Sequence, residues 1–261
     1  MDLKNLESTY LKPCAGKVIT SLVGGSTLYG LNTPSSDVDY RGIYIATDNK
    51  YKAGFEKMDS VVLSPHNGDN EDATYYEIGH YLRLLQKTNT QVMEILFAPD
   101  SSFTYKHPFF DQIRSNRYSL IDSEKLKSSI RGYVHSELRL ATGERSGQLG
   151  GKRKADVEKY GFSPKNFVQI FRLIRVGIRF FDTGVYMVNV NEHSPSLHAW
   201  LMTLKTDPSG YTCEELKDNV LHELEALETS IKNSEVNYKF DIDFASDMII
   251  SSRKMTYNKE L

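Results

Sequence analysis

The stretch SLVGGSTLYGLNTPSSDVDYRGIYI, residues 21–45, decides the fold of the first part of the chain. It carries the pair Gly25-Ser26 and, ten residues later, the run Asp37-Val38-Asp39. The β-branched and aromatic residues on both sides of this polar middle are typical of two strands. The stretch therefore predicts a β-hairpin with a glycine-serine turn in its connection and two acids on its second strand.

The two acids are expected to act together. Residues two apart on a strand point to the same face, so Asp37 and Asp39 should project side by side while Val38 points into the core. Their Cα atoms would lie roughly 6 to 7 Å apart, which lets both carboxylates reach one pair of hard cations. Two metal ions held in this way are the usual clamp for in-line phosphoryl displacement.

The glycine-serine turn supplies a second half of the same site. Gly25 has no side chain, so its backbone can approach a phosphate closely, and its N–H and the Ser26 hydroxyl can bond phosphate oxygens. A turn that binds an anion and acids that bind metal would hold the two ends of a nucleoside triphosphate's phosphate chain.

Other interpretations of each piece stay open. A lone Gly-Gly-Ser is often only a turn, and a lone Asp-x-Asp is often a solvated strand edge. An EF-hand loop is disfavoured because no glycine and terminal glutamate follow Asp37 at the required offsets. Asp-x-Asp also occurs in glycosyltransferases that bind nucleotide sugars through a metal, an alternative made less favourable by the glycine-serine turn ten residues before the acids.

Composition sets wider limits. The chain has 261 residues, enough for two modest domains, and 32 Lys plus Arg balance 34 Asp plus Glu. No global charge favours nucleic acid or membrane, so any basic surface must be local. Cys14 and Cys213 lie far apart without a Cys/His cluster, which is typical of a reducing compartment. With no membrane-length apolar run and no signal-peptide pattern, we expect a cytoplasmic protein without membrane contact.

Strands are predicted over 16–24, 37–47 and 60–65 and in ATYYEI, residues 73–78. Helical spacing follows over 76–87, with four apolar residues on one face: Ile78, Tyr81, Leu82 and Leu85. From residue 123 onward the pattern is helical, and a late helix opens with Thr212 and Glu215 in capping-box spacing. The fold class is therefore α/β (α+β): a small mixed-sheet domain over 1–118, followed by an α-helical domain over 119–261.

The strongest helical pattern covers 163–184, with Ser163 as N-cap, Pro164 at the first position and Gly184 at the end. Its apolar arc consists of Phe167, Ile170, Phe171, Leu173, Ile174, Ile178 and Phe181. The opposite side carries the predicted basic stripe, Lys165, Arg172, Arg175 and Arg179.

A glycine-rich segment, SGQLGGKRK over 146–154, precedes this helix and is predicted to be a flexible basic loop. Its Lys152, Arg153 and Lys154 could join the basic stripe in neutralising a triphosphate or holding an RNA backbone. A solvated helix face is the alternative. We favour Lys152 and Lys165 for contacts with a triphosphate.

The run Gly25-Ser26, ten residues, Asp37-Val38-Asp39 resembles the signature of the DNA polymerase beta-like nucleotidyltransferase superfamily. The wider GGSTLYGLNTPSSDVDYRGIYI is similar to one branch, predicted nucleotidyltransferases that include RNA-ligase-associated members. DATYYEIGHYLRLLQKTNTQVMEILFA, residues 72–98, resembles that branch's tyrosine-rich strand, helix and Asn-Pro…Glu-Leu-Leu-Phe motif. The likeness covers about the first hundred residues.

The resemblance implies that Asp37, Asp39 and a third acid on a neighbouring strand bind two Mg²⁺ or Mn²⁺ ions, the third acid often activating the attacking hydroxyl. Asp72 is favoured as the third acid. The alternatives are Asp69, Glu71 and Glu77.

Two further residues match the family run. Arg41 either faces a phosphate or forms a salt bridge with a nearby acid. Tyr29 either packs beside the nucleotide or only staples the turn. The set expected to bind nucleotide is Gly25, Ser26, Tyr29, Arg41, Lys152, Lys165 and Arg172. Related sequences often have a Lys-His-Ala-x-His-like start to the later helix, where this chain has Lys165 with Asn166 and Gln169.

The predicted activity is metal-dependent transfer of a nucleoside monophosphate from a nucleoside triphosphate, with ATP weakly favoured, to a hydroxyl acceptor, releasing pyrophosphate. The triphosphate would lie between the two domains. RNA, held through the basic segment 152–179, is the leading acceptor, before protein and small molecules. The alternative is a non-catalytic nucleotide- or RNA-binding regulator on the same fold, disfavoured because Asp37 and Asp39 are both present.

Overall fold

The computed structural model describes residues 1–64, 72–145 and 150–258. Its five strands are β1 (Lys17–Val23), β2 (Asp39–Ile45), β3 (Ser60–Leu63), β4 (Asp72–Glu77) and β5 (Phe103–Lys106). They form one sheet in the order β3-β4-β2-β1-β5. β2 and β4 are parallel and the other neighbouring pairs antiparallel, so the predicted mixed sheet and its hairpin of β1 and β2 are confirmed.

Thirteen α-helices are found among the described residues. They are α1 (Leu3–Asn5), α2 (Gly25–Leu28), α3 (Asn49–Lys52), α4 (Ile78–Gln86), α5 (Thr90–Phe97), α6 (Pro108–Ser115), α7 (Ser123–Ala141), α8 (Gly151–Tyr160), α9 (Pro164–Thr183), α10 (Val190–His193), α11 (Pro195–Thr206), α12 (Cys213–Asn233) and α13 (Ile242–Asn258). Within the described ranges, no helix is long and apolar enough to cross a membrane.

Contacts group the chain into two compact units. Unit 1 consists of Met1–Asp122 and Tyr238–Leu261, and unit 2 consists of Ser123–Asn237. The sequence-based division at 118/119 leaves the last helix in the second part, whereas α13 packs against α4 of unit 1. Closure of a helical domain over a nucleotide stays a prediction.

The two faces of the sheet differ in character. Side chains alternate along a strand, so Ala73 and Tyr75 of β4 share a face with Tyr44 of β2. This face is buried against the N-terminal segment, including Leu6 and Leu11. The opposite face begins with polar side chains at the first residues of β2 and β4, and there the candidate site lies.

Helix α4 forms because its buried residues recur with helical spacing and because Glu77 caps it. The four predicted core residues are all buried: Ile78, Tyr81, Leu82 and Leu85. The Glu77 carboxylate accepts hydrogen bonds from the N–H groups of Gly79 at 2.7 Å and His80 at 3.3 Å. This cap fixes the point at which β4 turns into α4, which packs against β2 and β4.

Unit 2 is built around α9, which contacts α7, α11 and α12. The predicted Ser163 N-cap, Pro164 start and Gly184 end of α9 are confirmed, as is the capping box of Thr212 and Glu215 on α12. A Cβ atom on Gly177 would lie 2.8 Å from a methyl group of Ile130 on α7. Glycine at 177 therefore lets α7 and α9 approach closely.

Two expectations about basic residues in this unit are wrong. Lys152, Arg153 and Lys154 lie in the first turn of α8 and not in a loop, because Gly150 serves as the N-cap, while residues 146–149 of the predicted loop lie outside the described residues. Arg172 is only 3% exposed, because neighbouring helices pack around α9 and leave it no fully solvated side.

Candidate active site

The connection between β1 and β2 begins with a tight backbone arrangement. The Gly24 N–H donates to the Asp39 carbonyl at 2.8 Å, closing the end of the hairpin. Gly25 follows with φ of +57°, a conformation that L-residues rarely adopt. Ser26, the next residue of the short helix α2, is partly buried, and its carbonyl accepts from the Leu31 N–H at 2.8 Å.

The Asp39 carboxylate lies directly against this turn. A Cβ atom added to Gly25 would be 1.8 Å from Asp39 Oδ2 and 2.8 Å from its Cγ. The turn and the acid, separated along the chain by the segment 26–38, therefore meet in the fold. Only glycine at position 25 leaves the carboxylate this space.

Asp72 lies beside Asp39. The two residues are Cα partners in the parallel pairing of β2 and β4, each at the first residue of its strand. Paired residues of neighbouring strands share a face, and their strands lie about 4.8 Å apart. The structure thus brings the favoured third acid next to the second acid of the Asp-x-Asp run.

The alternative acids are placed differently. Glu77 pairs with Tyr44 at the far end of the same strands, caps α4 and forms an ion pair with Arg253 at 2.7 Å. Its carboxylate is therefore committed away from Asp39. Asp69 and Glu71 lie outside the described residues.

Asp37 precedes the strand. β2 begins at Asp39, and Asp37 and Val38 lie in the connection before it. Asp37 is exposed, and Val38 is 50% exposed, so the expectation that Val38 points into the core is wrong.

Arg41 lies behind the turn among acidic and phenolic groups. A Cβ atom on Gly24 would be 3.1 Å from the Arg41 side chain, which therefore passes over that glycine. Burial disfavours the charged guanidinium, but four neighbouring groups outweigh it and raise the Arg41 pKa. They are Glu94, Tyr29, Tyr76 and Asp39.

Glu94, the glutamate of the motif that residues 72–98 resemble, was given no role in the site by the sequence analysis. It is 1% exposed, on α5, and its Oε2 accepts a hydrogen bond of 2.6 Å from the Tyr29 hydroxyl. Tyr29 thereby ties the end of the β1–β2 turn to α5. A single acid inside the apolar run VMEILF was the available signal, since a buried carboxylate needs a partner.

Carboxylate oxygens suit hard divalent cations, so the donor chemistry of Asp39, Asp72 and Asp37 fits magnesium or manganese. In the described part of the chain, no group of three or more His, Cys, Asp or Glu side chains is close enough to hold a metal ion. Asp39 and Asp72 are therefore adjacent without completing a three-residue group, and Asp37 lies on the exposed segment before β2.

The remaining predicted residues belong to unit 2. Lys152 and Lys165 are exposed, whereas the buried Arg172 donates from Nε to Gln169 at 3.0 Å. Asn166 is fully buried, accepting from the Ser163 hydroxyl and donating to Glu137, both at 2.6 Å. Where related sequences often have histidine, this chain thus has an amide that joins α9 to α7.

The model of the RNA repair pathway DNA polymerase beta family matches residues 2–155, more than half of the 261 residues. The chain belongs to this family. No curated protein matches it. The match to the RNA repair pathway DNA polymerase beta family confirms the resemblance to polymerase beta-like nucleotidyltransferases, a superfamily that generally uses divalent metals.

The matched range contains the whole sheet, the glycine-serine turn, Asp37, Asp39 and Asp72. It ends inside α8, so Lys165 and Arg172 lie beyond it. The family match therefore covers the acids of the sheet, and it does not cover Lys165 or Arg172.

Proposed function

We propose that this chain is a metal-dependent nucleotidyltransferase that moves a nucleoside monophosphate from a nucleoside triphosphate to a hydroxyl acceptor and releases pyrophosphate. The observation that carries the proposal is the pairing of Asp39 with Asp72 on parallel strands, beside a glycine whose backbone contacts Asp39. This places an acid pair and a close-approach turn at one end of the sheet.

In the proposed reaction, Asp37, Asp39 and Asp72 hold the metal ions. Bound divalent metal supplies charge neutralisation at the transferring phosphoryl group. Gly25 offers its N–H and Ser26 its hydroxyl to the phosphate chain, which orients the α-phosphate for in-line attack. Asp72, at the start of β4, accepts the proton of the attacking hydroxyl.

Arg41 and Tyr29 are proposed to support this site from behind. The buried Glu94 engages the Tyr29 hydroxyl and favours the charged form of Arg41, so both residues serve to hold the turn in place. A direct contact of Arg41 or Tyr29 with the nucleotide would be a second role beside this support of the turn. The exposed Lys152 and Lys165 are proposed to contact the triphosphate.

RNA is the proposed acceptor, because the family is one of RNA repair. ATP is the preferred donor in this proposal, and magnesium or manganese the cofactor. The exposed lysines of the basic segment 152–179 could neutralise RNA phosphates.

The test is transfer from each α-labelled nucleoside triphosphate, with magnesium or manganese, to total RNA, to protein or to small molecules of an extract. The wild type is compared with Asp37→Ala/Asp39→Ala, and Asp59→Ala provides a control acid that is half exposed and distant in sequence. Label on RNA from the wild type and Asp59→Ala only is expected. Transfer that persists in the double variant would overturn the proposed mechanism, and nucleotide binding without transfer would favour the regulator.

A further inference from the structure

Two neighbouring cavities are lined entirely by residues of unit 2. The first has a volume of about 270 Å³ and is lined by aromatic and polar side chains, including Phe171, Trp200 and Asn219. The second has about 290 Å³ and is lined by polar side chains, including His193 and Ser196. Arg175 and Leu197 line both cavities, so the two cavities adjoin at these side chains.

Buried polar atoms at these cavities lack protein partners. Among the described residues, Glu223 Oε2 and His193 Nδ1 have no hydrogen-bond partner although they are shielded from solvent. Glu223 lines the first cavity and His193 the second. Native proteins rarely leave such atoms unpaired, so these groups indicate a polar ligand.

The second cavity is electropositive. Burial lowers the His193 pKa, and the nearby Arg179 and Arg175 lower it further. The Arg175 side chain is 40% exposed and uses one terminal nitrogen to bind Glu223 Oε1, which leaves donors of its fork for a ligand. The Arg175 guanidinium, an imidazole and the Ser196 hydroxyl suit a phosphate group.

The first cavity has the character of a base pocket. Trp200 packs edge-to-face against Phe171 with ring centroids 4.7 Å apart, so the two rings hold each other rigidly. Asn219 offers an amide to the edge of a base, and the Glu223 side chain lines the same cavity. Aromatic faces that stack a base, beside a few polar groups at its edge, are typical of single nucleotide recognition.

We infer that unit 2 carries a nucleotide-binding pocket of its own, with the base against Trp200 and the phosphate at Arg175 and His193. The ligand is either a free mononucleotide or the phosphorylated terminal nucleotide of an RNA. All lining residues belong to unit 2, so the pocket does not depend on the catalytic acids of the sheet.

Trp200 is the only tryptophan of the chain, so its fluorescence reports on this pocket alone. The full-length protein is titrated, without metal, with adenosine, AMP and a short oligonucleotide with or without a terminal phosphate. AMP is expected to change the emission saturably and to bind at least about tenfold more tightly than adenosine, since the phosphate meets Arg175 and His193. Binding by the phosphorylated oligonucleotide but not by AMP would assign the RNA terminus as the ligand.

The variants separate this pocket from surface charge and from the catalytic site. Arg175→Gln and, as a second variant, His193→Gln are each expected to weaken AMP binding about tenfold or more. Arg131→Gln is the matched control, because Arg131 also pairs with a glutamate of α12, Glu228, but lines neither cavity. Asp37→Ala/Asp39→Ala should bind AMP as the wild type does, even if nucleotidyl transfer is absent.

Several results would overturn the inference. One is no saturable change up to millimolar concentration with any phosphorylated ligand. Another is equal affinity for adenosine and AMP, since no phosphate would then be recognised. An emission change that disappears in Asp37→Ala/Asp39→Ala, or that Arg131→Gln weakens as much as Arg175→Gln does, would place the ligand elsewhere.

Discussion

The Asp39 carboxylate occupies the space that a Cβ atom of residue 25 would need, because Oδ2 lies 1.8 Å from that position. Gly25 also has a positive φ of +57°. Residue 25 is thus restricted to glycine for two separable reasons, the backbone conformation and the position of an acid of the site.

The two reasons can be tested with a matched glycine. Gly54 has φ of +79° but nothing within 4 Å of its Cβ position. We expect Gly25→Ala and Gly54→Ala each to lose about 1 to 2 kcal/mol of unfolding free energy through the left-handed backbone. Only Gly25→Ala displaces Asp39, so its nucleotidyl transfer should fall by about 100-fold. Urea unfolding and transfer assays measure the two effects, and equal transfer by both variants would contradict the expected role of this contact.

Asp72 and Glu77, at the two ends of β4, should respond in opposite ways. Asp72→Asn should reduce turnover by about 100-fold or more while leaving stability unchanged or slightly raised, because it removes repulsion between neighbouring carboxylates. Glu77→Gln should cost about 1 to 3 kcal/mol of stability through its cap and ion pair. Its turnover per folded molecule should stay near that of wild type. The opposite pattern would assign the third acid to Glu77.

The effects of removing Arg253 and of removing Glu77 on stability should be coupled, because the two side chains form an ion pair. Its side chains are 21% and 12% exposed at a distance of 2.7 Å. A double-mutant cycle of Arg253→Gln and Glu77→Gln should give a coupling energy of about 1 to 3 kcal/mol. The Arg83–Asp59 pair, 60% and 51% exposed at 3.7 Å, is the reference and should give less than about 1 kcal/mol. Similar couplings for both pairs would show that α13 is not held by this contact.

The hydrogen bond from Tyr29 to Glu94 should contribute to stability. Tyr29→Phe removes a donor from a carboxylate that is 1% exposed, and should cost about 1 to 2 kcal/mol in urea unfolding. Tyr105→Phe, at a side chain that is 37% exposed, should change stability by less than about 0.5 kcal/mol. An unchanged KM for triphosphate in Tyr29→Phe would agree with a supporting role for the hydroxyl. A raised KM at unchanged stability would indicate nucleotide contact instead.

Local sequence patterns predicted most of the strands and helices, and they also predicted the turn and acids at the centre of the candidate site. The hairpin, the helix after β4 and the caps of α9 and α12 depend on residues close in sequence, so the pattern alone predicted them. The neighbouring position of Asp72 also followed, because a resemblance supplied the idea of a third strand acid. The sequence did not predict the register of β2 and β4, which pairs Asp72 with Asp39.

The errors arose where tertiary packing overrides a local pattern. Arg172 follows the spacing of a solvated face, but α9 is surrounded by other helices and the residue is buried. Glu94 gave a weak signal because its partner, Tyr29, lies 65 residues away along the chain. Val38 was expected in the core because the strand was extended two residues too early, before its start at Asp39.

The return of α13 to unit 1 has a consequence for biosynthesis. The Glu77 partner Arg253 is translated only after the whole of unit 2, so the sheet unit cannot complete its contacts until then. Unit 2, which is continuous in sequence, can fold earlier on the ribosome. Unit 2 would therefore be complete first, and unit 1, which carries the proposed catalytic acids, would be the last to become fully assembled.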